Sequence, residues 1–288
     1  MILAVTGATG RLGRLVIESL LNRGTAADRI VAIGRDIDKI ADFAKRGVQV
    51  RSADYTKPDT LTTALEGVDR LLLISGSAVG QRVSQHRNVV NAAKAAGVGF
   101  IAYTSAPKAD TTDLGLAPEH KATEEIIRES GIPFALLRNN WYTENYHQVL
   151  EQAKYTGLVI ASLGDGKVAS ASREDYAEAA AVVLAGTGHE GKVYELAGDT
   201  AWGYDELAAT LTDLLGRDVV YKRVSPKEHR KILTKAGVPI AQAAFVVAMD
   251  GNTKNGALSE VTGELSALIG RPTTPLRETL AQAGALQS

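Results

Sequence analysis

Short apolar runs alternate with longer amphipathic stretches through the first half of the chain. Ile2–Val5, Arg29–Gly34, Val48–Asp54, Arg70–Ser75, Phe100–Ser105 and Phe134–Arg138 are brief and dominated by aliphatic residues. Runs that are apolar at nearly every position suit strands covered on both faces of a parallel sheet. After Gly10, apolar residues recur at helical spacing, at Leu12, Leu15, Val16, Leu20 and Leu21, until Gly24 supplies a stop signal. Further helices are predicted from about Pro58 to Glu66, with the proline in the first turn, from Gln81 to Ala96, and from Glu119 to Ser130. This βαβαβ order predicts an α/β fold built on a doubly wound parallel (Rossmann) sheet with right-handed crossovers.

The regularity breaks down after Asn140. Sheet elements are predicted around Leu158–Ile160, Val193–Leu196 and Val219–Val224, a helix over Tyr204–Gly216, and a mostly helical tail beyond Ser225. The expected organisation is a nucleotide-binding Rossmann unit over residues 1–150, with residues 151–288 adding sheet elements and a smaller, mostly helical substrate lobe. The two would be interleaved as one structural unit. The lobe is expected over the carboxyl ends of the strands, where open α/β sheets place their ligands.

Composition narrows the chemistry. A chain of 288 residues with 45% hydrophobic and 23% charged residues can bury a core without covalent staples. There is no cysteine, hence no thiolate chemistry or disulfide framework. A net charge of −1 without a basic tract gives no sign of nucleic-acid binding. No apolar run approaches the roughly 20 residues of a membrane helix. A first strand so close to the N-terminus leaves no room for a signal peptide, so a cytoplasmic protein is expected. The five histidines, at 86, 120, 147, 189 and 229, show no metal-ligand spacing, so no metal is expected. Asp175, in the Ala-rich helix predicted over Ser172–Leu184, is read as a cap rather than a catalyst.

The stretch Thr6–Gly13, TGATGRLG, lies between the first strand and the first helix. Gly7, Gly10 and Gly13 give the spacing G-x-x-G-x-x-G, with Thr9, Arg11 and Leu12 between them. A bare backbone allows a tight turn and a close approach by pyrophosphate, and the free N–H groups of the helix then meet its charge. The bland alternative is a structural turn. An NAD site usually has an acidic residue ending the second strand, bonded to the ribose hydroxyls. Here Gly34 and Arg35 occupy that tip, with Lys39 a turn further on. Arg35 suits a 2′-phosphate, and one charge-assisted bond contributes about 1.5–3 kcal/mol. NADPH is therefore the expected cofactor, with Asp36 able to blunt the preference. Ser75 and Gly76, ending the fourth strand, are small enough to let the cofactor ribose pass.

The sixth strand is followed by RNNWYTENY, which holds Asn139, Asn140, Trp141, Tyr142, Asn145 and Tyr146. Aromatics are 5% of the chain, so three within six residues is a concentration. Their rings offer flat surfaces for a planar acceptor, and the amides can fix its oxygens. The alternative is that Trp141 and Tyr142 wedge the two lobes together.

VTGATGRLG, VAIGR, LLLISG, AAKAAGVGFIAYTS and LRNNWYTENY together resemble the NmrA-like atypical short-chain dehydrogenase/reductases. The match is best to the branch of bacterial NAD(P)H:quinone oxidoreductases, and looser to that of triphenylmethane dye reductases. It extends through GDGKVASASREDYAEAAAVVL and GKVYELAGD in the second half. The resemblance implies a two-lobed fold, NADPH use, a homodimer and reduction of quinone-like aromatic acceptors. It places Asp54 and Tyr55 at the adenine edge. It also puts Tyr103, Thr104 and Ser105 where the family's catalytic serine falls, with Thr104 or Ser105 set to bond the carboxamide or a substrate oxygen.

Short-chain dehydrogenases typically carry a Tyr-x-x-x-Lys pair on the helix after the fifth strand. By alignment of EEIIRESG with the family's pattern, His120 stands at the lysine position and Leu116 at the tyrosine position. Lys121 is one residue out of register, about 100° round the helix. The proton-donating tyrosine is missing. A quinone or cationic dye needs a positioned acid far less than a simple carbonyl, because its reduced form is delocalised. Hydride can then move chiefly by proximity and orientation. His120 is the remaining ionisable candidate, to bond the ribose or deliver a proton. Two other readings stay open: a non-catalytic NADP(H)-binding regulator, and a tailoring oxidoreductase for an aromatic natural product.

Overall fold

The computed structural model describes residues 1–285. The chain runs β1 (Leu3–Val5), α1 (Arg11–Asn22), β2 (Ile30–Gly34), α2 (Ala41–Lys45), β3 (Gln49–Ser52), α3 (Pro58–Ala64), β4 (Arg70–Leu73), α4 (Arg82–Ala95), β5 (Phe100–Ser105), α5 (Ala117–Ser130) and β6 (Phe134–Asn139). It continues through α6 (His147–Thr156), β7 (Leu158–Ala161), β8 (Lys167–Val168), α7 (Arg173–Ala185), β9 (Lys192–Leu196), β10 (Trp202–Gly203), α8 (Tyr204–Leu215) and β11 (Val220–Arg223). Four helices close it: α9 (Pro226–Lys235), α10 (Ile240–Lys254), α11 (Glu264–Ile269) and α12 (Leu276–Ala285).

Seven strands form one parallel sheet in the order β3-β2-β1-β4-β5-β6-β9. The expected doubly wound Rossmann fold is therefore present. Strand order reverses between β1 and β4, and such a switch point opens a crevice at the carboxyl edge. Strand residues alternate between two cores. Phe100 and Ala102 of β5 pack on the side of α1, α7 and α11, while Ile101 and Tyr103 pack on the side of α3, α4 and α5. Both faces are buried, which explains the lack of polar alternation.

A third core joins the region after β6 to the sheet. It holds Tyr146, Leu150, Val159, Trp202, Leu207, Leu211 and Tyr221, and reaches back to Leu114 and Ala117 before and in α5. Two small pairings support it: β7 with β11, parallel, and β8 with β10, antiparallel. The chain then crosses back, so α7 and β9 complete the main sheet layer.

Several elements differ from expectation. Helix α5 begins at Ala117, two residues early, with Pro118 in its first turn. Helices α2 and α6 are additional. The cap of α7 is Ser172, whose Oγ accepts from the Asp175 N–H at 3.0 Å. Asp175 is instead a fully buried anchor for the tail. It accepts from the Thr274 N–H at 2.9 Å and pairs with Arg271 at 2.8 Å.

Candidate active site

The glycine loop is fixed by backbone crowding. Gly7 has φ +64°, which disfavours a side chain, and the Gly10 N–H donates to Gly7 O at 2.9 Å. A Cβ on Gly13 would stand 2.4 Å from Gly7 O and 2.8 Å from Ala8 Cα. A Cβ on Gly34 would stand 2.6 Å from Thr9 Cγ2, so Thr9 packs flat against the end of β2. Helix α1 opens at Gly10 without a side-chain cap and without an acidic residue in its first turn. Its leading N–H groups are thus available to an anion. Arg11 is exposed at the first position, and Leu12 is buried below it.

Beside this loop, Arg35 is exposed just past β2. Its charge helps hold the Asp54 carboxyl below the usual range, after the larger effect of the Thr56 hydrogen bonds. Asp54 accepts from both the Thr56 N–H and Oγ1 at 2.9 Å, so its side chain caps its own turn. Lys39 pairs with Asp36 at 3.2 Å, which leaves Arg35 as the cation of the tip without a side-chain partner among the described residues. Tyr55 donates to Thr6 Oγ1 at 2.6 Å and lies 3.0 Å from Ile74 O, locking the ends of β1 and β4. Thr104 Oγ1 accepts from the Ser75 N–H at 2.9 Å and clamps β4 to β5.

Gly76 is pinned from two sides. Its N–H donates to His86 Nε2 at 3.0 Å, and its carbonyl accepts from Arg82 Nε at 2.7 Å. With Nε2 accepting, the His86 proton sits on Nδ1, 3.0 Å from Thr123 Oγ1, which donates to Glu119 O at 2.8 Å. Burial, with Arg82 nearby, pushes His86 down to about 3. Its ring is a neutral connector from α4 through α5 to the β4 loop.

A cavity of about 350 Å³ opens at the carboxyl edge beside this loop. Ser75, Gly76 and Ser77 form one side, and Ser105, Leu116 and His120 another. Asn139, Asn140, Trp141 and Tyr142 follow, and Met249 and Leu258 arrive from the far lobe. Leu116, at the position of the family's acid, faces the cavity, whereas Lys121 is exposed elsewhere. His120 Nδ1 lies 2.8 Å from Tyr103 Oη. Burial first, and then Arg82, push His120 down to about 3. A ring held neutral carries no imidazolium proton to deliver.

The other expected site residues fall in different places. Tyr103 is fully buried behind His120 and does not line the cavity. Ser105 lines it, but its hydroxyl donates to Glu124 Oε1 at 2.6 Å. Glu124 in turn holds Arg138 through two bonds of 2.9 and 2.7 Å. Arg138 also reaches Asp110 and Glu195, each at 2.9 Å. Asn140 lines the cavity with its side chain already engaged: its Oδ1 accepts from the Trp141 N–H at 2.7 Å and its Nδ2 donates to Leu258 O at 3.2 Å. Asn139 presents a buried Oδ1 without a partner among the described residues. The Tyr142 ring packs edge-on to Tyr176 at 5.3 Å and carries the Arg173 guanidinium on its face at 4.8 Å. Tyr146 lines a different cavity, against Trp202 at 4.8 Å. Arg82, His86 and Glu124 were missed because nothing local in the sequence marks a polar helical residue as buried. Among the described residues, no cluster of three or more His, Asp or Glu side chains could hold a metal ion, and no helix is long and apolar enough to cross a membrane.

A parallel sheet with an uncapped, glycine-fronted helix at its switch point defines a dinucleotide-binding protein, and the chain belongs to the NAD(P)H-binding family, which matches residues 7–187. Quinone oxidoreductase 2 of Escherichia coli strain K12 is 51% identical over 278 residues, covering 96% of this chain and 97% of that protein. A crystal structure of the NADPH-dependent quinone oxidoreductase from Escherichia coli, complexed with NADPH, superposes with a TM-score of 0.94 at 50% identity, covering all of both chains. Triphenylmethane reductase of Citrobacter sp., complexed with NADP(H), gives a TM-score of 0.93 at 42% identity over 98% of this chain and 99% of that one.

Proposed function

We propose that this protein is an NADPH-dependent reductase of quinones and related conjugated aromatic acceptors. The observation that carries the reading is the cavity beside the glycine loop, with Leu116 where an acid would stand and a neutral His120 next to it. The relatives named above support the acceptor class, and the exposed Arg35 supports NADPH over NADH.

The cradle fits a dinucleotide, because the crowding at Gly13 and Gly34 leaves the helix N-terminus open to a pyrophosphate. Arg11 and Arg35 would meet phosphate charge, Arg35 that of the 2′-phosphate. When bound, NADPH supplies the hydride. The protein's part is alignment. Trp141 and Tyr142 offer ring faces to a planar acceptor, while Leu114, Leu116, Met249 and Leu258 keep water from it. In the tautomer in which Tyr103 Oη donates to Nδ1, the His120 ring presents Nε2–H as a neutral hydrogen-bond donor. Such a donor favours an oxygen that gains negative charge. Asn139 Oδ1 accepts an N–H or O–H from the bound molecules. Lack of cysteine suits a reducing compartment such as the cytoplasm, and a homodimer follows the family resemblance.

The test is NADPH oxidation against a panel of benzoquinones, naphthoquinones and cationic dyes, with NADH in parallel. Turnover with quinones is expected. Tight NADPH binding without turnover of any acceptor would overturn the reading in favour of a cofactor-sensing regulator.

A further inference from the structure

A second cavity, of about 230 Å³, lies on the other side of Trp141. The two cavities share Trp141, Asn145, Met249 and Leu258 as lining residues. Most of the remaining lining is apolar or aromatic, including Tyr146, Tyr204, Ile232, Phe245 and Val246. Set into it is a buried pair, His229 on α9 and Asp250 on α10.

The pair is tightly organised. His229 Nδ1 lies 2.8 Å from Asp250 Oδ2. The same oxygen accepts from the Ser162 N–H at 2.6 Å and from the Ser162 hydroxyl at 2.7 Å. An oxygen that receives three donors is the acceptor end of each bond, so Nδ1 of His229 carries a proton, and of the two neutral tautomers the geometry selects the one whose Nε2 lone pair is free. The side-chain bonds of His229 among the described residues run through Nδ1, and the ring lines the cavity. This is not a hydrolytic triad, since the Ser162 hydroxyl faces the carboxylate and not Nε2. The carboxylate fixes the ring's tautomer and orientation, as a carboxylate does behind a ligating histidine. What it presents is an oriented ring nitrogen in a chamber lined mainly by apolar and aromatic side chains, with Gln148 and Gln152 among the polar ones.

We propose that this cavity receives the distal ring of a two-part acceptor, and that His229 Nε2 accepts a hydrogen bond from a phenolic hydroxyl on that ring. The electron-accepting ring occupies the first cavity, and the linkage passes Trp141 and Met249. This rests on the reductase reading and adds the acceptor class: quinones that carry a hydroxyaryl substituent. The lining matches such a group in both respects. Tyr146, Tyr204 and Phe245 suit an aromatic body, and the oriented His229 ring suits its O–H.

The test compares 2-(4-hydroxyphenyl)-1,4-naphthoquinone with its 4-methoxyphenyl counterpart. Binding to the NADP⁺-saturated protein is measured by equilibrium dialysis, and kcat/KM is measured with NADPH. The wild-type protein should favour the hydroxyphenyl compound by about three- to tenfold, the range of one neutral hydrogen bond. His229→Phe should bring that ratio to about one. Val246→Trp, which fills the chamber, should weaken both aryl compounds relative to menadione, and it decides the matter where His229→Phe does not fold. Equal affinity for the two compounds in the wild type, or an unchanged ratio in His229→Phe, overturns the proposal. So does aryl affinity that Val246→Trp leaves intact. The two readings separate cleanly. Menadione turnover without discrimination removes this site and keeps the reductase. Discrimination in dialysis that is lost in His229→Phe, without turnover of any quinone, keeps the site and removes the reductase.

Discussion

On the glycine-loop side, the cleft is a backbone surface: Gly7, Gly10, Gly13 and Gly34 let main chain, Thr9 and the start of α1 close on one another. On the acceptor side it is a side-chain surface, assembled from the β4 loop, the β5–α5 segment, the end of β6 and the far lobe. The first wall depends on what is absent, since a Cβ would intrude at Gly13 and Gly34 and the positive φ of Gly7 disfavours a side chain. The second depends on what is present, and on buried charges that hold its parts in place. The two walls should therefore break differently.

The largest effect is expected at Arg138, the brace of the acceptor wall. Its removal leaves the Glu124 carboxylate buried without its bidentate partner. Arg138→Ala should cost about 3–5 kcal/mol of unfolding free energy, read from urea denaturation. A loss below 1 kcal/mol would mean that Glu124 finds another partner.

Acid should loosen the same wall next. Both His86 and His120 are pushed from 6.5 down to about 3, chiefly by burial. Between these values the unfolded chain binds protons that the folded chain refuses, so stability falls as pH drops from about 6.5 towards 3. The slope is up to about 1.4 kcal/mol per pH unit for each ring. Urea midpoints at a series of pH values should show this fall, and His120→Gln should flatten part of it. An equally steep curve in that variant would remove His120 from the account.

The glycine-loop wall should respond in affinity as well as stability. Gly13→Ala drives a Cβ into Gly7 O, costs about 1–3 kcal/mol of stability and weakens NADPH binding. Arg35→Ala should leave the loop intact while raising the Kd for NADPH about 10- to 150-fold, with little change for NADH. Equal losses for both cofactors would place Arg35 away from the 2′-phosphate.

This contrast also explains what the sequence disclosed. The glycine loop was legible because its constraint is local: a tight turn needs Gly7, Gly10 and Gly13 at fixed spacing, between a strand and a helix. The parallel sheet was legible because burial on both faces leaves apolar runs such as Ile30–Gly34. Helix α6 was not, since it follows a 3₁₀ turn at Thr143–Tyr146 without a side-chain cap, within a stretch already marked by its aromatics. Arg82 and His86 look like ordinary polar residues of a surface helix. They are buried because Gly76, Thr123 and Glu119 converge on them from other segments. Tyr103, Ser105 and Tyr146 were recognised as chemistry-bearing residues, but their directions depend on His120, Glu124 and Trp202. Met249 and Leu258 join the cavity from more than a hundred residues downstream of Trp141, beyond the reach of any local pattern.

The smallest expected effect bears most closely on the chemistry. His120→Gln should lower kcat/KM for a quinone about two- to tenfold, the scale of one hydrogen bond. The shape of the pH profile should stay the same, because the ring is neutral throughout the working range.

With Leu116 at the acid's position and His120 neutral, hydride should pass to the acceptor without a protein acid in flight. Single-turnover reduction of menadione by bound NADPH, compared in H₂O and D₂O and with NADPH deuterated at the transferring position, tests it most directly. A normal primary isotope effect from the deuterated cofactor and a solvent effect near one are expected. A large solvent effect on the same step would show that a proton moves with the hydride, and would contradict it.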